Sequence, residues 1–92
     1  MAISTSTVLV TSPDLTVADL GDEAVVLDPS TGKYFGLNAV GTRILSLAAS
    51  PTHLDDLIEQ LHAEYEVPRA VLTRDVTAFV EDLTRRGILV TR

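Results

Sequence analysis

Few residues of this 92-residue chain could do chemistry, and its two histidines are the first candidates. His53 and His62 both fall in an acid-rich stretch, in which Asp55 and Glu59 precede His62 by seven and three residues. On a helix these spacings place the three side chains on one face, as a metal site would need. A charge run on a helix is more often a solvated face, and the sequence predicts that arrangement here.

Nucleophilic and phosphate-binding chemistry has no motif in this chain. There is no cysteine, which excludes disulfides, thiolate nucleophiles and cysteine-ligated zinc. The serines and threonines fall mostly at predicted caps, turns and strands, outside any nucleophile-elbow motif, and no glycine-rich phosphate loop is present. We therefore predict a protein that is not an enzyme and that holds no metal and no cofactor.

The charge balance argues against nucleic acid as a partner. The formal net charge is −6, whereas nonspecific nucleic-acid binding depends on an excess of lysine and arginine. Four of the seven basic residues (Arg69, Arg74, Arg85 and Arg86) lie between residues 69 and 86 and leave room for a local basic face. A DNA-binding regulator therefore stays as an alternative function.

The rest of the composition predicts one globular domain, residues 1–92, with a modest core built mainly from aliphatic residues. The N-terminal stretch has no charged region followed by a long apolar run, and no segment is long enough to span a bilayer. We expect a cytoplasmic protein without membrane partners.

Three strands are predicted at the start of the chain, over residues 5–12, 23–28 and 33–37. Pro29 and Gly32 lie between the second and third strands and predict a hairpin turn. The third strand, KYFGL, is unusual because Tyr34 and Phe35 point to opposite faces and Gly36 interrupts the alternation.

Three helices are predicted to follow. Asn38 is the expected N-cap of the first helix, which ends near residue 49. Thr52 is the expected cap of the second helix, with Asp55 as its capping-box partner. The third helix begins at Pro68 and ends at Gly87. Strands followed by helices predict an α+β, winged-helix-like fold, with a three-stranded antiparallel sheet followed by three helices.

Two segments are candidates for binding. The apolar stripe of the third helix predicts core packing, but its width could also line a groove, with Asp75 at its edge as an acceptor for a partner. An edge strand with a glycine either bends the chain into the next helix or receives a second backbone by strand addition. The residues alone leave both alternatives open.

Two motifs together resemble a known family. The stretch EAVVLDPSTGKYFGLNAVGTRILSLA is followed by Y-x-V-(x7)-DV-(x2)-FV-(x2)-L-(x3)-GIL. The combination is similar to the PqqD-like proteins, also called RiPP recognition elements, and above all to the stand-alone B1 type of lasso-peptide gene clusters. The likeness covers about residues 8–90. It implies a winged-helix-like domain that captures the leader segment of a ribosomally made precursor peptide.

The resemblance also implies a site in which the leader adds to the third strand and lies against the third helix. Carried over to this chain, the strand edge is formed by Lys33, Tyr34, Phe35, Gly36 and Leu37, the neighbouring pockets by Val25 and Leu27, and the helical wall by Leu72, Arg74, Asp75, Val76, Phe79 and Val80. Lasso leaders tend to carry a tyrosine and a proline ahead of an apolar residue, which suits an apolar cleft with one carboxylate.

The implied partners are the precursor peptide, a separate leader peptidase of the cysteine-protease type and the macrocyclase. Related domains also serve radical-SAM enzymes and cyclodehydratases, so the resemblance leaves the modification pathway open. A third alternative is an oligomerisation module in which the exposed strand edge pairs with a second copy.

Overall fold

The computed structural model describes residues 3–92, so the first two residues of the N-terminal stretch and of the expected 1–92 domain lie outside it. In this range the chain forms six strands and three helices, and two of the strands follow the first helix, which differs from the predicted order of strands and then helices. The strands are β1 (Val8–Thr11), β2 (Thr16–Asp19), β3 (Ala24–Asp28), β4 (Lys33–Leu37), β5 (Thr52–His53) and β6 (Leu89–Thr91). The helices are α1 (Ala39–Leu47), α2 (Leu54–Glu64) and α3 (Arg69–Arg85).

One sheet is antiparallel, with strand order β2-β3-β4. The predicted hairpin between β3 and β4 is confirmed, with Asp28 opposite Lys33 and Ala24 opposite Leu37. Gly32 has φ +73° at the end of the turn, a backbone conformation that residues with a Cβ rarely adopt. Its amide donates to the carbonyl oxygen of Asp28 at 2.9 Å, which closes the turn.

A second antiparallel sheet has the order β5-β1-β6 and differs from the expectation of one sheet. The strand predicted over residues 5–12 exists as β1, but it pairs with β5 and β6 from much later in the chain. Its place beside β3 is taken by β2, a strand that the pattern analysis did not predict. The fold class is α+β as predicted, with a three-stranded antiparallel sheet and three helices.

Two of the three predicted helix starts are confirmed. Asn38 caps α1, where its side-chain Oδ1 accepts from the amide of Gly41 at 2.9 Å, and α3 begins directly after Pro68. Thr52 does not cap α2, because it pairs with Leu9 in β5. Backbone carbonyls cap the N-terminus of α2 instead, because the amides of Leu54 and Asp55 donate to the carbonyl oxygens of Thr7 and Thr5, respectively.

The core lies between the two sheets and the three helices. The predicted apolar stripe of α2 is fully buried, and Leu72, Val76, Val80 and Leu83 of α3 pack against it. On the opposite face of α2 the acidic side chains and His62 are exposed, which confirms the predicted solvated face. None of the helices formed by residues 3–92 is long and apolar enough to cross a membrane.

Candidate functional site

Strand β4 forms one edge of its sheet. Within residues 3–92 it pairs only with β3, so the backbone amide and carbonyl groups along its other side have no strand partner. Such groups can pair with an added strand. The edge is therefore available for an extended peptide.

The two faces of β4 present different surfaces. Phe35 and Leu37 point toward the core, opposite Val26 and Ala24 of β3, and Leu37 is 8% exposed. Tyr34 points to the outer face, where it is 72% exposed beside its cross-strand partner Leu27. The two adjacent rings thus serve two surfaces, as the alternation of a strand requires.

A cleft separates β4 from α3, and its first cavity lies directly between them. This strand pocket, of about 210 Å³, has Phe35 and Leu37 on one side and Phe79, Leu83 and Ile88 on the other, with Asp82 and Arg86 at its rim. A side chain that left an added strand toward the core face would enter it.

The second cavity lies among the helices and continues the cleft past Phe79. This helical pocket, of about 220 Å³, is lined by Val40 and Ile44 of α1, Leu61 of α2, Tyr65 and Val67 after it, and Leu72, Asp75, Val76 and Phe79 of α3. All of these except Asp75 present apolar groups or an aromatic ring. The pocket therefore suits an apolar side chain, and the carboxylate offers one polar contact at its wall.

The rim of the strand pocket carries a fixed cation. The guanidinium carbon of Arg86 lies 5.6 Å from the centroid of the Phe35 ring, within the range of a cation–π contact. Its Nε is 3.1 Å from Oδ2 of Asp82, one turn earlier on α3. Arg86 thus lies over the ring of Phe35 at the rim of the strand pocket.

An ion pair ties the walls of the helical pocket together. Arg43 of α1 binds Glu64 of α2, with Nη2 at 2.7 Å from Oε2 and Nε at 2.9 Å from Oε1. These hydrogen bonds lower the pKa of the Glu64 carboxyl and raise the pKa of the Arg43 guanidinium. At the hairpin, hydrogen bonds from Ser30 lower the pKa of Asp28. Both carboxylates therefore stay ionised at neutral pH.

Most of the candidate site residues lie around this cleft, but they play unequal parts in it. Leu72 and Val76 are buried and form the floor of the helical pocket, whereas Val80 is 0% exposed and lines neither pocket. Asp75 and Phe79 face the open space. Arg74 lines neither pocket and its side chain is 75% exposed, with Nε at 3.3 Å from Oδ1 of Asp75.

Val25 and Leu27 lie on the other side of the sheet. Val26 between them is 0% exposed and faces the core, so the alternation turns its neighbours outward, opposite Gly36 and Tyr34. They cannot line a pocket together with α3, which differs from the expectation. An added strand could reach them only with the side chains that it directs to the outer face.

The basic residues that motivated the DNA-binding alternative are paired with acids. Arg69 contacts Asp55 and Glu59 of α2, and Arg74 contacts Asp75. Arg85 and Arg86 both approach Asp82, at 3.9 Å and 3.1 Å. No group of three or more metal-ligating side chains occurs in the part of the chain that the structure describes.

Several residues of the cleft were not among the predicted site residues. Tyr65 and Val67 belong to the Y-x-V motif but received no role, and Arg86 was considered only as a possible DNA contact. Gly41 was missed as well: it is buried beneath the Phe79 ring, and a Cβ built on it would lie 2.8 Å from Cζ. Gly41 is the final residue of LNAVG, and a glycine inside a predicted helix is a sequence signal for close packing.

Comparison with known proteins identifies the family. Residues 23–89 match the family described as coenzyme PQQ synthesis protein D (PqqD). A protein of Gluconobacter oxydans (strain 621H) called PqqA binding protein is 32% identical over 59 residues, which cover 64% of this chain. The match spans 62% of that relative's length.

Two solved structures share both the fold and part of the sequence. TbiB1 in complex with the TbiA(beta) leader peptide superposes with a TM-score of 0.81 and 36% identity, over 88% of this chain and 94% of that one. A lasso peptide synthetase B1 complexed with the leader peptide gives a TM-score of 0.71 and 30% identity, over 89% and 96%. The family match covers well over half of the sequence, and this chain belongs to the PqqD family.

Proposed function

We propose that this protein binds the leader segment of a ribosomally synthesised precursor peptide, which adds as a strand to the free edge of β4. The observation that carries the proposal is that this edge runs along a cleft with two pockets, of which the helical pocket is almost entirely apolar and the strand pocket combines apolar side chains with a polar rim. Both solved relatives were obtained with leader peptides, which supports the same ligand class here. The protein acts by binding and presentation, and the chemistry is left to other proteins.

Strand addition uses the two faces of β4 differently. Backbone groups of residues 33–37 pair with the peptide, and each such hydrogen bond adds about 0.5–1.5 kcal/mol. Peptide side chains on the core face enter the cleft against Phe79 and Asp75, above Leu72 and Val76. Side chains on the outer face lie next to Tyr34 and Leu27.

We further propose a lasso-peptide pathway, in which the bound precursor is presented to a separate leader peptidase of the cysteine-protease type and then to the macrocyclase. The B1 relatives match more of this chain, at 36% and 30% identity, than the PqqA binding protein does. Because precursors are made on ribosomes, the proposal places this step in the cytoplasm. A radical-SAM pathway is the second candidate, favoured by the family match alone.

A binding assay tests the first part of the proposal. We expect labelled TbiA(beta) leader peptide to bind this protein with a dissociation constant on the order of micromolar or tighter. A scrambled peptide of the same composition is the control, and duplex DNA at low salt should give no binding. Failure of the leader to saturate the protein, or equal binding of the scrambled peptide, would contradict the proposal.

A substitution on the outer face of β4 tests the proposed presentation of the precursor to a leader peptidase. Tyr34 is 72% exposed and lies outside the cleft, next to the outer-face side chains of the peptide, so Tyr34→Ser should reduce leader affinity by only about threefold through the loss of those contacts. If the outer face meets the peptidase, the same variant should slow leader cleavage in the reconstituted system by about tenfold or more. Unchanged cleavage would remove the outer face from the docking surface and leave leader binding standing.

A further inference from the structure

Phe79 divides the cleft. Its ring, half-buried on α3, is part of the wall of both the strand pocket and the helical pocket. The position of one ring therefore determines whether the cleft offers two separate pockets or one irregular groove. The contact that holds the Phe79 ring in place therefore determines which peptide side chains fit the cleft.

The ring rests on a glycine of α1. A Cβ built on Gly41 would lie 2.8 Å from Cζ and 3.4 Å from Cε1 of Phe79, and 3.4 Å from Cβ of Leu37. Carbon atoms in contact sit about 3.5–4.0 Å apart, so an alanine at this position would have to displace the ring. The backbone of Leu37 and α1 offers less freedom to move than the ring tip does.

Gly41 also lowers the helix propensity of α1, which calls for a structural explanation. Glycine in a helix is up to about 1 kcal/mol less favourable than alanine, and Gly41 is the third residue of α1, in the first turn, where Asn38 accepts a hydrogen bond from its amide. Its φ is negative, so no backbone conformation requires glycine here. The close approach of Phe79 is the remaining structural reason.

We propose that Gly41 determines the specificity of the cleft by seating the Phe79 ring against α1, so that two side chains from one face of an extended peptide each find their own pocket. This inference rests on the proposed leader-binding function. Side chains on one face of a strand are about 6.6–6.8 Å apart for successive positions, which lets one peptide reach both sides of the ring. Gly41 acts through Phe79 and is a positioning residue.

The test compares Gly41→Ala in two backgrounds with the TbiA(beta) leader peptide as the probe. In the wild-type background we expect affinity to fall about tenfold or more, because the displaced ring enters one of the pockets. In the Phe79→Leu background the same substitution should change affinity less than about twofold, since leucine lacks the ring atoms that a Cβ would meet. Ser46→Ala, at an exposed position of the same helix, is the control.

An alanine scan of the leader separates a positioning role from a general loss of structure. With the wild-type protein, alanine at two leader positions on one face of the strand should each cause a large loss of affinity. With the Gly41→Ala variant, at least one of these two losses should be smaller. The melting temperature should change by only a few degrees, because the gain in helix propensity offsets the strain.

Three outcomes would overturn the inference. They are unchanged leader affinity in Gly41→Ala, an equal loss in the Phe79→Leu background, and an alanine-scan profile with both large losses retained. A failure of the wild-type protein to bind the leader at all would instead remove the proposed function on which this inference rests.

Discussion

The sheet β2-β3-β4 has two edges, and they differ in what lies beside them. Val17 of β2 and Phe35 of β4 are both opposite Val26, so they occupy equivalent positions on the same face. Val17 is 42% exposed, whereas Phe35 packs against the core and beneath Arg86. Every residue of β2 is exposed, so this strand is held mainly by its pairing with β3.

The cavity next to β2 is larger than the one next to β4, at about 480 Å³ against about 210 Å³. Its wall mixes apolar groups with Ser12, Asp19, Thr42, Ser46 and Arg92. The strand pocket beside β4 also has polar residues in its wall, Asn38, Asp82 and Arg86, but it shares the Phe79 ring with the apolar helical pocket. An edge becomes a binding site when its unpaired backbone and its side-chain pockets share one register, and cavity size alone does not decide this.

The largest expected effect that tests this contrast is at Phe79. Phe79→Ser removes the ring shared by both pockets and should weaken leader binding by about 30-fold or more, equivalent to about 2 kcal/mol. Titration of the labelled TbiA(beta) leader checks it, with circular dichroism as the test of folding. Ala78→Ser, at an exposed position of the same helix, should bind as the wild type does; a loss of affinity there equal to that of Phe79→Ser would contradict the assignment of the cleft.

A matched pair of substitutions compares the two edges directly. Phe35→Ser should weaken binding about tenfold, because it removes one wall of the strand pocket and the surface under Arg86. Val17→Ser, at the equivalent position of β2, should change affinity less than about twofold. Calorimetry on the two variants side by side measures the difference, and a larger effect at Val17 would move the site to the β2 edge.

The smallest expected effect is at the rim. Arg86→Ala removes a guanidinium from the rim of the strand pocket together with its cover over Phe35, and it should reduce affinity about threefold. Arg85→Ala is the control, because its side chain is 70% exposed and has no contact with Phe35. Equal losses in the two variants would show that charge alone, and not the cover over Phe35, acts on the peptide.

The parts of the fold that were predictable depend on local signals. The turn at Gly32, the cap at Asn38 and the apolar stripes of α2 and α3 are each encoded within a few residues, and each is confirmed. The pairing of β1 with β6 joins residues about 80 positions apart, so no local sequence pattern predicts it. β5 has only two residues, too few for a detectable alternation.

The site residues also fall into those with a local sequence signal and those that depend on tertiary contacts. Phe79 and Asp75 could be named from the helical stripe and the family resemblance, and both line the cleft. The outward direction of Val25 and Leu27 follows from the burial of Ala24 and Val26, which a continuous apolar run of four residues does not reveal. Gly41 depends on a contact between α1 and α3, and such tertiary contacts have no signature in either helix alone.

The most direct test of strand addition at β4 is nuclear magnetic resonance on isotope-labelled protein bound to unlabelled TbiA(beta) leader peptide. The account predicts interstrand contacts between peptide backbone protons and the backbone of residues 33–37, together with contacts from peptide side chains to the Phe79 ring. Peptide contacts confined to β2 or to the acidic face of α2 would contradict it.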